Sequence, residues 1–187
     1  MKNIKELKIS SVIACYKDEQ SIPLMHQRLT DVFKKIGCNY EIIFVNDGSP
    51  DDSEKILEII CQKDDKTSAI FHSRNFDSQN AFTSGMLQST GDAVIILDGD
   101  LQDPPELIPQ FVEKWEAGED IVLAIKESSQ ENRVMFSIRK LYYGLLSKLS
   151  EIEIFQNFTG FGLYDKKVMD AIKQLKDPYP FFRGMVA

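Results

Sequence analysis

The stretch AVIILDGDLQDPPE, residues 93–106, indicates the fold class of this chain of 187 residues. Its first five residues are apolar, which is typical of a short strand buried on both faces of a parallel sheet. Asp98, Gly99 and Asp100 follow directly, and a proline-led helix is predicted from Pro105. A buried strand that ends in polar residues and leads into a helix is the repeating unit of an α/β fold.

Outward from this stretch, short apolar runs alternate with longer amphipathic segments. Five runs are predicted to be strands, at residues 9–15, 41–46, 68–72, 93–97 and 121–125. Four segments between or after them are predicted to be helices, at residues 21–36, 53–64, 80–89 and 105–117. We therefore expect an α/β protein with a mostly parallel central sheet, formed as a single domain over residues 1–187.

From Asn132 the pattern changes to an amphipathic segment with a basic face. Residues 133–149 are predicted to form a helix, followed by a strand within residues 155–164 and a helix over residues 165–175. Five basic residues between Lys126 and Lys148 outnumber two acidic ones, a net charge of +3. Since the whole chain carries a net charge of −7, this segment is a local basic region of an acidic protein.

The composition excludes several classes of protein. A net charge of −7 argues against nucleic-acid binding through a basic surface. Cys15, Cys38 and Cys61 are odd in number and widely spaced, so we expect reduced thiols and no disulfide or CxxC metal site. No run approaches the roughly 18–20 apolar residues of a membrane span, and the N-terminus lacks the apolar core of a signal peptide. We expect this segment to be soluble and cytoplasmic.

Polar residues follow four of the predicted strands, at residues 16–19, 46–49, 73–75 and 98–103. Ligands of open α/β sheets bind outside the carboxyl ends of the strands, so a site is predicted where these loops meet. Asp51, Asp52 and Asp103 are interpreted as helix caps. The two isolated histidines, His26 and His72, are expected to be packing or surface residues and not metal ligands.

Asp98 and Asp100 need a different explanation from capping. They flank a glycine at the end of a strand, so their side chains point the same way and repel each other unless a cation neutralises them. Mg²⁺ or Mn²⁺, with Gln102 as a neutral oxygen ligand, would do so, and such ions are commonly completed by substrate phosphates. A metal-bound diphosphate is therefore predicted. Neither a GxxxxGK[ST] loop nor a GxGxxG turn is present, which disfavours P-loop NTPases and dinucleotide dehydrogenases. A receiver domain is also disfavoured, because no late lysine follows a strand.

Five segments together resemble family 2 glycosyltransferases with the GT-A fold, a three-layer Rossmann-like sandwich. They are IACYKDEQSIP (13–23), EIIFVNDGSPDDS (41–53), HSRNFDSQNAFTSGM (72–86), AVIILDGDLQDPPELI (93–108) and FTGFGLYDKKV (158–168). The chain is most similar to the polyprenyl-phosphate (dolichyl- or undecaprenyl-phosphate) sugar transferases. The resemblance covers almost the whole chain, from about Ile9 to Ala187.

The resemblance implies a UDP- or GDP-sugar donor and a divalent metal ion. Tyr16, Asp18 and Asp47 would contact the base and ribose. Asp98 would lie by the ribose and the metal, and Asp100 with Gln102 would hold the metal on the diphosphate. An aromatic face suits a base, and a carboxylate accepts hydrogen bonds from the base edge and sugar hydroxyls.

The resemblance also implies an inverting transfer to polyprenyl phosphate at the cytoplasmic face of a membrane. A phosphate monoester is already an anion near neutral pH, so it needs no general base. Lys126, Arg133 and Ser137 match the positions that grip the lipid phosphate. Because the chain ends in the apolar stretch PFFRGMVA (180–187), we expect the natural protein to continue into membrane segments.

The sequence departs from the family pattern at two places. Ala14, Lys17 and Asp18 alter the usual PxYNEE motif, and Gly160 and Gly162 replace an Asp and an Arg of a DFRL-like segment. Two alternatives stay open: a glycan-extending glycosyltransferase of cell-wall, capsule or lipopolysaccharide assembly, and a non-catalytic nucleotide-sugar-binding module. Transfer to a sugar hydroxyl would require a carboxylate base and leave the basic segment without a task.

Overall fold

A computed structural model of the chain describes residues 3–125 and 158–175, and it contains a six-stranded sheet. The strands are β1 (Lys8–Cys15), β2 (Asn39–Asn46), β3 (Thr67–Phe71), β4 (Ala93–Asp98), β5 (Ile121–Ile125) and β6 (Phe158–Asp165). All six predicted strands are confirmed, and no end shifts by more than three residues.

Five helices connect or follow these strands in the described residues. They are α1 (Ile22–Ile36), α2 (Ser53–Lys63), α3 (Ser78–Gln88), α4 (Ile108–Ala117) and α5 (Lys166–Leu175). Short 3₁₀ turns span Ile4–Glu6 and Pro105–Leu107, so the predicted helix from Pro105 begins with a tighter turn. Helix α3 begins two residues before its predicted start because the Asp77 side chain accepts a hydrogen bond from the Gln79 N–H, 2.7 Å away.

The sheet order is β3-β2-β1-β4-β6-β5. Strand β1 is central and pairs in parallel with β2 and β4, and β2 pairs in parallel with β3. Strand β6 runs antiparallel between β4 and β5. The prediction of a mostly parallel sheet is confirmed, and the carboxyl ends of β1, β2, β3 and β4 share one edge.

Helices cover both faces of the sheet, so the predicted three-layer arrangement is also confirmed. Ile95 and Leu97 of β4 pack on the face covered by α1, α2 and α4. Val94 and Ile96 pack on the opposite face, which is covered by α3 and α5. Because alternate residues of a strand point to opposite faces, a continuous apolar run is what a sheet buried on both sides requires.

Helix α3 lies very close to β1, and this closeness brings its N-terminal loop to the strand ends. A Cβ at Gly85 would overlap Cγ1 of Val12. Any larger residue at this position would therefore push α3 away from the sheet.

The two glycines of β6 have structural explanations in this chain. Gly160 has φ 101°, a conformation that residues with a side chain rarely adopt. A Cβ at Gly162 would lie 2.6 Å from the Val122 carbonyl oxygen of the neighbouring strand. This backbone arrangement leaves no room at Gly162 for the arginine of the family pattern.

The predictions about cysteines and membrane spans concern residues that the structure describes, whereas the prediction of a basic helix does not. Cys15, Cys38 and Cys61 are free thiols, as predicted, and no helix within residues 3–125 and 158–175 has the length and apolar character to cross a bilayer. The predicted basic helix at residues 133–149 lies outside the described residues.

Candidate active site

An open pocket of about 440 Å³ lies at the carboxyl edge of the sheet. The ends of β1, β2 and β4 and the loop between β3 and α3 form its walls. Five of the predicted site residues line it: Tyr16, Asp18, Asp47, Asp98 and Asp100. The fold thus brings together residues that are up to 84 positions apart in the sequence.

The pocket is strongly acidic. Five aspartates line it (Asp18, Asp47, Asp77, Asp98 and Asp100), and none of its described lining residues is basic. A concave surface with one sign of charge attracts ions of the opposite sign. The pocket is therefore suited to a cation, or to a ligand that arrives with one.

Backbone strain is concentrated at the rim of this pocket. Among the described residues, only three that are not glycine have φ in the left-handed region: Lys17 (62°), Asp77 (76°) and Leu101 (67°). Lys17 follows the pocket residue Tyr16, Asp77 lines the pocket, and Leu101 follows Asp100. Such conformations cost about 1–3 kcal/mol each and tend to cluster at functional sites.

Asp47 is almost fully buried and firmly held. Its side chain is 3% exposed, and Oδ1 lies 2.7 Å from Nδ1 of His72. The Phe76 N–H donates a second hydrogen bond, of 2.9 Å, to the same oxygen. Since a carboxylate oxygen accepts, the Nδ1 atom of His72 carries the donated proton.

Gly99 explains how the two carboxylates of DGD reach the pocket. Its N–H donates to the Ala14 carbonyl oxygen at 2.9 Å, so the turn after β4 presses against the end of β1. A Cβ at this position would lie 2.7 Å from Sγ of Cys15 and 3.0 Å from the Ala14 oxygen. Only glycine fits without movement, and the residues on either side of it both line the pocket.

Asp18 shows the electrostatic effect of this crowding. Burial raises the pKa of its carboxyl group, and the charges of Asp100 and Asp51 raise that pKa further. The Tyr16 N–H, which donates to Oδ2 at 2.9 Å, acts in the opposite direction. The carboxylates of the β1 loop and the DGD segment therefore repel each other in the absence of a cation.

Comparison with known proteins identifies the family. Residues 10–173 match the family described as "Glycosyl transferase family 2". The chain belongs to this family. The predicted resemblance is therefore confirmed, and the acidic pocket is the candidate active site of a family 2 glycosyltransferase.

The chain is also similar to curated members of the family. It is 39% identical over 185 residues to the uncharacterized glycosyltransferase YkcC of Bacillus subtilis (strain 168), covering 98% of this chain and 57% of that protein. It is 35% identical over 182 residues to the bactoprenol glucosyl transferase of Shigella phage SfX, covering 97% of this chain and 60% of that protein. The chain thus spans less than two thirds of these relatives' length.

A solved structure with the same fold is that of glucosyl-3-phosphoglycerate synthase from Mycobacterium tuberculosis, in complex with Mn²⁺, UDP and phosphoglyceric acid. The TM-score is 0.62 at 21% sequence identity, over 87% of this chain and 57% of that one. The GT-A fold predicted from the sequence is confirmed by this similarity.

The pocket contains carboxylate ligands of the kind that Mg²⁺ or Mn²⁺ prefers. Asp98 and Asp100 both line it, and hard divalent cations accept one or two carboxylates when phosphates and water complete the shell. Among the described residues there is no cluster of three or more histidine, cysteine or acidic side chains that could enclose an ion alone. The two carboxylates therefore fit a divalent ion whose other ligands are not side chains of this kind from the described residues.

Gln102, the third predicted metal ligand, is placed differently from the two aspartates. Its backbone N–H donates to Oδ1 of Asp100 at 3.0 Å, while the residue is exposed and does not line the pocket. Its observed contact orients Asp100. Lys126, Arg133 and Ser137, predicted as acceptor contacts, lie outside the described residues.

Two pocket residues were not predicted from the sequence, and one predicted helix cap is wrong. Asp77 and Ser78 line the pocket, and the capping pattern Asp-Ser-Gln at the start of α3 is a signal that could have placed them there. At α2, Asp52 occupies the N-cap position but makes no capping hydrogen bond. The correction is that Asp51 accepts from the Ser53 N–H at 3.2 Å, whereas Asp52 pairs with Lys55.

Proposed function

We propose that this family 2 glycosyltransferase moves a sugar, with inversion, from a nucleotide-diphosphate sugar to polyprenyl phosphate. The observation that carries the proposal is the pocket that gathers Asp18, Asp47, Asp98 and Asp100 at the strand ends. The bactoprenol glucosyl transferase of phage SfX, at 35% identity, supports a lipid phosphate as acceptor.

The pocket residues have chemically suitable roles toward the donor. Tyr16 is 42% exposed, so its ring offers a face on which a uracil or guanine base can stack. Asp47 and Asp18 would accept hydrogen bonds from the base and the ribose hydroxyls. Asp98 and Asp100 would hold Mg²⁺ or Mn²⁺ against the diphosphate, where a bound cation offsets the charge of the leaving group.

The proposed transfer is a single displacement at the anomeric carbon of the sugar. An oxygen of the acceptor phosphate forms a bond to the anomeric carbon, and the bond from that carbon to the diphosphate oxygen breaks with its electron pair. The acceptor is already an anion, so no side chain has to remove a proton. Lys126, Arg133 and Ser137 are proposed to hold the acceptor phosphate, and the working location is the cytoplasmic face of a membrane.

The test is a transfer assay with the full chain, Mn²⁺, UDP-glucose or GDP-mannose, and a short-chain polyprenyl phosphate, with the glycolipid detected by mass spectrometry. We expect product with one donor and none with the corresponding dephosphorylated polyprenol. Arg133→Ala should lower transfer about tenfold to a hundredfold while donor affinity stays unchanged.

Two results would overturn the proposal. Transfer to a glycan hydroxyl but not to the lipid phosphate would favour the glycan-extending alternative. Tight donor binding without transfer to any acceptor would favour a binding module.

A further inference from the structure

Three polar side chains from different parts of the fold are joined by hydrogen bonds, and the first of them, Asp47, lines the pocket. Asp47 follows β2, His72 follows β3, and Ser84 belongs to α3. Nδ1 of His72 lies 2.7 Å from Oδ1 of Asp47, and Nε2 lies 2.9 Å from Oγ of Ser84. The His72 side chain is only 12% exposed. Both ring nitrogens are therefore engaged, which fixes the orientation of the imidazole.

This arrangement leaves Asp47 with one oxygen for a ligand. Oδ1 already accepts from His72 and from the Phe76 N–H. None of the described residues donates a hydrogen bond to Oδ2, and Asp47 lines the pocket. The protein thus holds the carboxylate at Oδ1, and Oδ2 is the oxygen that is left to accept from a ligand in the pocket.

The surroundings of His72 reinforce its position. The ring of Phe76 packs edge-on against the imidazole with centroids 5.6 Å apart, and the Arg74 guanidinium lies 4.7 Å from the centre of that ring. Gly48, next to Asp47, contacts the backbone of Arg74 so closely that a Cβ would overlap it. The loops after β2 and β3 therefore pack tightly against each other beside His72.

A hydrogen-bonded series of Asp, His and Ser side chains also occurs in hydrolases with a serine nucleophile. Here neither His72 nor Ser84 lines the pocket, so the hydroxyl does not face a substrate bound there. Ser84 acts as the outer support of the imidazole.

We propose that His72 is a positioning residue for the sugar-nucleotide donor: it orients the Asp47 carboxylate so that Oδ2 meets the nucleoside. The inference rests on the proposed function, because it requires a nucleotide in this pocket. It gives His72 a role in ligand binding, whereas the sequence alone predicts a packing or surface residue.

The test uses calorimetric titration of the full chain with UDP and with GDP, each with Mn²⁺. His72→Gln places an amide near Nε2 and loses the donor to Asp47, whereas His72→Asn places an amide near Nδ1 and keeps it. We expect His72→Gln to weaken nucleotide affinity about tenfold or more and His72→Asn to retain it within about threefold.

A matched control is present in the same chain. His26 lies 2.8 Å from Asp64 and 3.1 Å from Thr67, a similar cluster away from the pocket. His26→Gln should leave nucleotide affinity unchanged. If His72→Gln does not fold, Ser84→Ala replaces it, with a smaller loss of affinity in the same direction.

Three results of these titrations would contradict the proposed role of His72 or the donor-binding function on which it rests. Equal affinity of the wild type and His72→Gln would overturn the inference. An equal loss in His72→Asn and His72→Gln would also overturn it, because the ring's packing and not its bond to Asp47 would then matter. A wild type that binds neither nucleotide would overturn the donor-binding function itself.

Discussion

At the scale of single residues, four of the five pocket aspartates share one feature: one oxygen of each accepts a hydrogen bond from a backbone N–H. Asp18 accepts from Tyr16, Asp47 from Phe76, Asp77 from Gln79 and Asp100 from Gln102. A carboxylate held in this way has lost most of its rotational freedom before any ligand arrives. The conformational entropy of these side chains is therefore lost when the protein folds, and ligand binding does not have to order them.

The first prediction concerns Asp100→Asn. The amide oxygen can still accept from the Gln102 N–H, but the negative charge is lost. Mn²⁺-dependent affinity for UDP or GDP should fall below detection, while the melting temperature without ligand stays the same or rises, since repulsion with Asp18 is relieved. Calorimetry and thermal unfolding measure the two effects. Asp77→Asn, at a pocket residue with no assigned metal role, is the control, and unchanged affinity in Asp100→Asn would reject the metal assignment.

The second prediction uses the raised pKa of Asp18. Between the ordinary aspartate pKa of about 3.9 and the raised folded value, the native state binds more protons than the unfolded state. The free energy of unfolding therefore falls as pH rises through this window. Asp18→Asn removes the effect, so its melting temperature relative to the wild type should increase from pH 4 to pH 7.

Asp51→Asn is the control of opposite sign. Although burial alone would raise the pKa of Asp51, hydrogen bonds from Ser53 and the Glu19 N–H lower it. This carboxylate therefore stabilises the fold at neutral pH, and the contribution is lost only as pH falls through its folded pKa. Asp51→Asn should lower the melting temperature at pH 7. A constant difference for Asp18→Asn across the pH range would contradict the second prediction.

At the scale of elements, the local sequence predicts where the strands lie along the chain, but it does not predict their order in the sheet. The apolar run before Asp98 predicts β4 because five consecutive apolar residues, bounded by polar ones, are typical of a strand buried on both faces and too few for a buried helix. Nothing in residues 158–165 indicates that β6 enters antiparallel between β4 and β5, since that depends on pairing with distant segments. His72 was missed for the same reason: Asp47 and Ser84 lie 25 and 12 positions away.

The third prediction concerns the packing of β6. Gly162→Ala places a methyl group 2.6 Å from the Val122 carbonyl oxygen, and backbone atoms cannot move aside as a flexible side chain can. We expect a loss of about 1–3 kcal/mol in the free energy of unfolding, measured by urea denaturation. Gly37→Asn is the control, because nothing lies within 4 Å and asparagine tolerates its φ of 75°. A smaller loss for Gly162→Ala than for Gly37→Asn would contradict this account.

At the scale of the whole molecule, charge is unevenly distributed along the chain. Residues 126–148 carry +3, whereas the complete chain carries −7. An acidic pocket can attract a metal-bound donor, and a basic segment can attract a phosphate on a membrane surface. The two substrates of the proposed reaction are thus matched to regions of opposite charge.

The fourth prediction tests that separation. The chain should co-sediment with vesicles that contain anionic phospholipid at low salt and dissociate at high salt, because each basic residue near the surface contributes only about 1 kcal/mol. Arg139 and Lys140 are two of the five basic residues between Lys126 and Lys148. Arg139→Glu with Lys140→Glu should weaken sedimentation without changing UDP or GDP affinity. Binding that is insensitive to salt, or equal with neutral vesicles, would assign the attachment to apolar contacts.

The position of β6 also governs the order in which the chain can fold. Strand β5 pairs only with β6 in the described sheet, and β6 begins 33 residues after β5 ends. During synthesis, β4 and β5 therefore leave the ribosome before the strand that joins them exists, and the edge of β4 stays unpaired until residue 165 emerges. A nascent chain paused between these points leaves the backbone N–H and C=O groups along this edge of β4 unpaired, and such an edge can pair with a strand of another chain.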